Sequence, residues 1–139
     1  MSYFVTGGTG FIGRHLLGEL LKRGEPIHVL VRARSRARLE QIAHDFGAEG
    51  RLIVPIEGNL AEPLCALSAS TCAELRGRIR HFFHLGALYD LAAEAADLER
   101  ANVAGTRNAL ALAHTLQAGC FHLVSSIAAA GRYPGEFTE

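Results

Sequence analysis

Residues 6 to 13 read Thr6-Gly7-Gly8-Thr9-Gly10-Phe11-Ile12-Gly13, and the glycine spacing is the first feature of the chain that could do chemistry. Gly8, Gly10 and Gly13 satisfy G-x-G-x-x-G, while Gly7, Gly10 and Gly13 satisfy G-x-x-G-x-x-G. A tight strand-to-helix turn demands unusual backbone angles, and a diphosphate can approach the backbone only where no Cβ intervenes. The helix that follows offers unpaired N–H groups and a partial positive charge to an anion. Gly7, Thr9, Gly10, Phe11, Ile12 and Gly13 therefore form a candidate cradle for the phosphates of a dinucleotide. A glycine-rich turn without a ligand is the plainer alternative, but the apolar run before the loop and the helical period after it favour the nucleotide.

About twenty residues further on, an acidic side chain would bind the adenosine ribose, whereas arginine accommodates a 2′-phosphate. The sequence there is Val31-Arg32-Ala33-Arg34, and no acid follows before Glu40. Arg32, with Arg34 or Arg36, points to NADP(H) as cofactor, although a run of arginines is also how a solvated helix start looks.

The remaining candidates are weaker. Ser125 and Ser126 read as strand-end hydroxyls bonded to the backbone. Cys65, Cys72 and Cys120 are odd in number and lack C-x-x-C spacing, so they read as buried thiols in a reducing compartment. His81 and His84 stand three apart in a strand-like run and face opposite ways, and no H-E-x-x-H or Cys/His cluster occurs, so no metal site is expected. Fourteen basic residues balance fourteen acidic ones, which leaves no overall field to attract nucleic acid. No signal peptide or membrane span is read from the sequence, and a cytoplasmic protein is expected.

The elements that must position these residues alternate between strand-length apolar runs and helical periods, which predicts an α/β fold with a parallel sheet covered on both faces. Strands are expected at Tyr3–Thr6, Ile27–Val31, Leu52–Ile56, His81–Leu85 and Cys120–Val124, with Pro55 marking an edge or a strand end. The first helix carries Ile12, Leu16, Leu17, Leu20 and Leu21 inward and stops at Gly24. A second runs from Arg36 to Phe46. Residues 61 to 71 read as loop with a short helix after Ser70. A long helix from Glu94 to Gln117 is expected to bury Val103, Leu110, Ala113 and Leu116 and to end at Gly119. At 139 residues, one dinucleotide-binding domain spanning 1–139 is expected.

With these features the chain resembles the extended short-chain dehydrogenase/reductase family over essentially its whole length. Gly58-Asn59-Leu60 looks like the family's Gly-Asp-Leu stretch beside adenine, with Asn59 in place of the acid. Phe83-His84-Leu85-Gly86-Ala87 resembles the segment passing close to the cofactor, with Gly86 where alanine is usual. Asn102-Val103-Ala104-Gly105-Thr106 looks like the helix motif that braces the central strands. Leu123-Val124-Ser125-Ser126 resembles the end of the fifth strand, where Ser126 matches the catalytic hydroxyl position. The resemblance implies a Rossmann-type doubly wound sheet of order 3-2-1-4-5, truncated after its fifth strand, and cofactor contacts from Asn59, Leu60, Gly86, Ala87, Asn102 and Ser125. Leu88-Tyr89-Asp90-Leu91 and the stretch from Ile127 to Gly135 look most like the fatty acyl-CoA reductase and thioester reductase (male sterility) branch. That implies hydride transfer from NADPH to a small acyl or carbonyl substrate.

The family's Tyr-x-x-x-Lys pair does not occur. Lys22 is the single lysine, and none of Tyr3, Tyr89 or Tyr133 has a lysine four residues later. The chain is accordingly expected to be the cofactor half of a longer reductase, inactive alone, with self-association through the exposed fifth-strand edge. Two rivals stay open: a sugar-nucleotide epimerase or dehydratase, which shares the loop and the serine, and a non-catalytic module that senses the NADP redox state.

Overall fold

Five parallel strands form one sheet in the order β3-β2-β1-β4-β5 in the computed structural model: β1 (Ser2–Thr6), β2 (Ile27–Val31), β3 (Ile53–Glu57), β4 (Ile79–His84) and β5 (Cys120–Leu123). The structure describes residues 1–88, 92, 94–126, 129, 131, 132, 134–136 and 138. Tyr89, Asp90, Leu91, Ile127, Ala128, Ala130 and Tyr133, which carry part of the finer resemblance, lie outside them. β1 is buried along its whole length, as a central strand with helices on both faces must be. Pro55 sits on β3 at the sheet edge, opposite Val29, where its missing N–H costs no ladder bond on the solvent side.

Side chains alternate across the sheet and build two cores. On one face Tyr3, Val5, Val29 and Val31 pack against Leu17, Leu20 and Leu21 of α1 (Phe11–Leu21) and Leu39 and Ile42 of α2 (Arg36–Asp45). On the other, Phe4 and Phe82 stack with ring centroids 4.7 Å apart, over Leu75 of α3 (Ala69–Leu75), Ala109 and Leu112 of α5 (Gly105–Thr115) and Leu116 at its C-cap. Each fully buried aromatic or leucine contributes about 1.5–3 kcal/mol of burial free energy.

Several expectations need correction. Ile12 is 57% exposed, because it lies in the first turn of α1, outward of the stripe formed by Gly13, Leu17, Leu20 and Leu21. The long helix is α4 (Ala95–Leu98), a π-helical stretch at Glu99–Ala104 and then α5. The wider π turn inserts a residue and rotates the preceding face, so Val103 is exposed at 45%, and Leu110 at 53% falls beside the inner stripe of Ala109, Leu112, Ala113 and Leu116. The helix stops at Gln117, which takes the left-handed conformation itself (φ 53°), while the Ala118 N–H donates to Ala113 O; Gly119 lies beyond, bonded to β4. Cys65 and Cys72 are buried as expected, but Cys120 is exposed on β5. Burial pushes the Cys65 thiol up to about 12, with Cys72 beside it adding to the shift, so Cys65 is an inert core group.

Candidate functional site

A cleft of about 560 Å³ opens at the carboxyl ends of the central strands, the place where open α/β sheets bind ligands. Gly7, Thr9, Gly10, Arg32, Asn59, Leu60, Gly86 and Ala87 all border it. The loop after β1 forms its floor. Gly7 has φ +74°, and a Cβ there would stand 2.7 Å from the Gly86 amide nitrogen. A Cβ on Gly13 would lie 2.2 Å from Gly7 O, so this glycine lets α1 press against its own loop. The Arg14 N–H donates to Gly10 O as the opening bond of α1. The N–H groups of Phe11, Ile12 and Gly13 precede that bond and are the orphan donors of the helix start. The side chains of Phe11 and Ile12 are exposed.

β2 delivers Arg32 and, through a 3-10 turn at Ala33–Ser35, Arg34 to the cleft rim. Arg36 is placed elsewhere: on α2 its guanidinium lies 3.0 Å from Glu40, outside the cleft. A second depression beside the rim is lined by Arg32, Arg34, Gly58, Asn59 and Ser68, and Glu57 joins them there. Glu57 is the acid that a search along the chain could not find, since β3 pairs it with Val31 across the sheet.

The opposite wall is held by a chain of buried polar groups. Thr106 Oγ1 donates to Asn102 O at 2.6 Å, so it accepts from His84 Nε2–H at 3.1 Å. His84 Nδ1 is then the acceptor for the Thr6 hydroxyl at 2.7 Å, and Thr6 Oγ1 in turn accepts the Gly86 N–H at 3.1 Å. Every proton in this chain has one assignment, which fixes His84 as the neutral Nε2–H tautomer. Burial lowers the His84 pKa from its ordinary value, consistent with that neutrality. Asn102 does not border the cleft; its Oδ1 accepts the Leu88 N–H at 2.7 Å and its Nδ2 donates to Leu88 O at 2.9 Å. It is a positioning residue for the strand-to-helix segment that carries Gly86 and Ala87.

Asn59 bends its own loop, its Oδ1 accepting the Ala61 N–H at 3.1 Å and its N–H donating to Cys65 O at 2.8 Å. Leu60 packs over Gly86, where a Cβ would meet Leu60 Cδ1 at 2.5 Å, which explains glycine at this position. Asn108 Nδ2 donates to Leu60 O at 2.8 Å and ties the loop to α5. Sequence reasoning missed Asn108, because a lone amide in a helix carries no spacing signal. Ser125 and Ser126 follow β5 at its carboxyl end, exposed and outside the cleft border.

The residues present suit a dinucleotide: a glycine-rich floor of Gly7, Thr9 and Gly10, a helix start directly after it, though Phe11, Ile12 and Gly13 do not themselves border the cleft, and two guanidinium groups at one end. Comparison with known proteins agrees. Residues 5–139 match the male sterility protein family. The chain is 36% identical over 137 residues to the L-2-aminoadipate reductase large subunit of Penicillium chrysogenum, covering 91% of this chain and 10% of that protein. It is 35% identical over 132 residues to a component of the linear gramicidin synthase of Brevibacillus parabrevis, covering 88% of this chain and 3% of that one. Among solved structures it matches the terminal R domain of the myxalamid PKS-NRPS biosynthetic pathway with a TM-score of 0.80 at 32% identity, over 91% of this chain and 35% of that one. A reductase (R) domain of a nonribosomal peptide synthetase from Mycobacterium tuberculosis matches with a TM-score of 0.75 at 26% identity, over 94% and 34%. The chain thus spans a tenth or less of these two curated relatives and about a third of the solved domains. On its cofactor loop, its sheet order and these matches, the chain belongs to the male sterility protein family, the thioester reductase branch of the extended short-chain dehydrogenase/reductases, whose members bind a nicotinamide cofactor.

Proposed function

We propose that residues 1–139 are the dinucleotide-binding domain of an NADPH-dependent reductase acting on an acyl thioester or carbonyl substrate. The observation that carries this reading is the shared cleft of the glycine loop, Arg32, Arg34, Asn59, Leu60, Gly86 and Ala87. The loop and the start of α1 would hold the diphosphate, Arg32 and Arg34 the 2′-phosphate, and Asn59 with Leu60 the adenine. When bound, the cofactor supplies the hydride. Gly86 and Ala87, fixed by Thr6, His84 and Asn102, shape the wall along which the rest of the cofactor lies.

Ser126 is the candidate hydroxyl for the substrate oxygen. A serine hydroxyl is by itself a weak acid, so this reading assigns proton delivery to another group. The names of the relatives support the substrate class, since an aminoadipate reductase and peptide-synthetase R domains are among them.

The test is a fluorescence titration with NADPH and NADH. NADPH should bind more tightly. Arg32→Ala and Arg34→Ala should each weaken NADPH by about 10- to 100-fold, the worth of a charge-assisted bond to phosphate, and leave NADH unchanged. Equal affinities in the unaltered chain would overturn the NADP assignment.

A further inference from the structure

The fold gathers three metal-ligating side chains that the sequence keeps apart. Parallel register sets His81 of β4 opposite Cys120 of β5 and Phe83 opposite His122. Period-two alternation then places His81, Cys120 and His122 on one face of the sheet. Their donor atoms all lie within 4.8 Å of one another, with His81 Nδ1 2.9 Å from His122 Nε2. Both rings are oriented before any ion arrives. His122 stacks on Phe83 with centroids 4.5 Å apart and planes 11° apart, and His81 stacks on Tyr3 at 6.1 Å and 20°. The histidines are half-buried and Cys120 is exposed, so an ion reaches the cluster from solvent.

We propose that His81, Cys120 and His122 form a binding site for a borderline-soft divalent cation, Zn²⁺ foremost. Two imidazole nitrogens and a thiolate are donors that zinc prefers, whereas Mg²⁺ and Ca²⁺ require oxygen. Nitrogen at about 2.0–2.1 Å and sulfur at about 2.3 Å from one tetrahedral ion stand about 3.3–3.6 Å apart. To reach that geometry the two nitrogens must part from 2.9 Å, and every donor pair, now within 4.8 Å, must settle at that spacing. On binding, Cys120 releases its thiol proton to solvent. The imidazole that donates the mutual hydrogen bond gives up that proton and takes one from solvent on its other ring nitrogen, so that both facing nitrogens are free to bind the metal. The fourth position faces solvent and takes a water molecule. The neighbouring Arg80 does not repel the ion with a full charge, because Glu25 lies 3.6 Å from its guanidinium. Glu25 Oε2 is buried without a hydrogen-bond partner among the described residues.

The site begins at the first residue of β5 and the third of β4 and lies below the carboxyl ends that frame the cleft. It is therefore separate from the dinucleotide site. A bound ion would tie the edge strand β5 to β4.

The experiment is calorimetric titration of the metal-free chain with Zn²⁺, paired with optical spectra of the Co²⁺ form. One ion should bind per chain, and the Co²⁺ spectrum should show a thiolate-to-metal charge-transfer band. Cys120→Ser should abolish that band and weaken Zn²⁺ by about 100-fold, and His122→Phe, which keeps the stacking ring, should weaken it comparably. Circular dichroism of the metal-free variants separates loss of a ligand from loss of fold. Absence of stoichiometric binding, or a charge-transfer band that survives Cys120→Ser, would overturn the proposal. Should Cys120→Ser fail to fold, the spectrum of the unaltered chain and the His122→Phe titration decide the matter.

Discussion

Arg32 shows how one residue's meaning depends on what the sheet sets beside it. Read along the chain, it stands where an acid would mark the ribose, and no acid follows until Glu40. In space, Glu57 ends β3 next to Val31 and shares the depression with Arg32 and Arg34. A carboxylate there repels a 2′-phosphate and offsets part of the attraction of the arginines. Glu57→Gln should therefore tighten NADPH by roughly two- to fivefold, the scale of one solvent-exposed charge interaction, with NADH unaffected. An unchanged NADPH-to-NADH ratio in parallel titrations would show that Glu57 lies outside the field of the phosphate. Gly7, Gly10 and Arg32 were legible because their types are scarce at those positions and their chemistry is specific. Asn102 was read within a bracing motif, but neither its partner Leu88 nor the clamp made by Asn108 was legible, since an amide acquires that role only from the carbonyl or amide placed opposite it.

The strands were legible almost residue by residue, because each is a short apolar run bounded by glycine or polar residues. The helices were less so. The π turn at Glu99–Ala104 breaks the 3.6-residue period on which the inward stripe was read, and the left-handed run of Leu64, Cys65 and Ala66 (φ 48°, 57° and 60°) has no glycine to announce it. That run costs about 1–2 kcal/mol per residue and is held by the Cys65 carbonyl accepting the Asn59 N–H. Between the elements, His84 carries a pH dependence. Burial lowers its pKa from 6.5, so between the folded value and 6.5 the unfolded chain binds more protons than the folded one. The His84 contribution is fully present above pH 6.5 and is lost as pH falls through the folded value. Denaturant unfolding followed from pH 7 to pH 5 should show stability falling, by up to about 1.4 kcal/mol per pH unit from this group. His84→Gln should be less stable at pH 7 and have a shallower acid limb, the other histidines contributing alike to both proteins. Equal slopes would place the acid sensitivity elsewhere.

At the scale of the molecule, the sheet has two unlike edges. β3 protects its outer side with Pro55, which breaks the row of donors available to another strand. β5 has no such device: among the described residues it pairs only with β4, it contains no proline or lysine, and Leu123 and Val124 stand 54% and 45% exposed. No helix of the described residues is long and apolar enough to cross a membrane. Unpaired N–H and C=O groups along an apolar strand form a template for another chain. A second copy is one partner that fits, since its β5 can pair antiparallel about a two-fold axis. The 139-residue chain should therefore be dimeric at concentrations where a protected sheet would be monomeric. Leu123→Lys, a charge at the edge that leaves the core untouched, should shift it toward monomer. Sedimentation velocity across a concentration series reads both outcomes. A monomer at every concentration for the unaltered chain, or a dimer indifferent to Leu123→Lys, would show that the β5 edge is not what joins the copies.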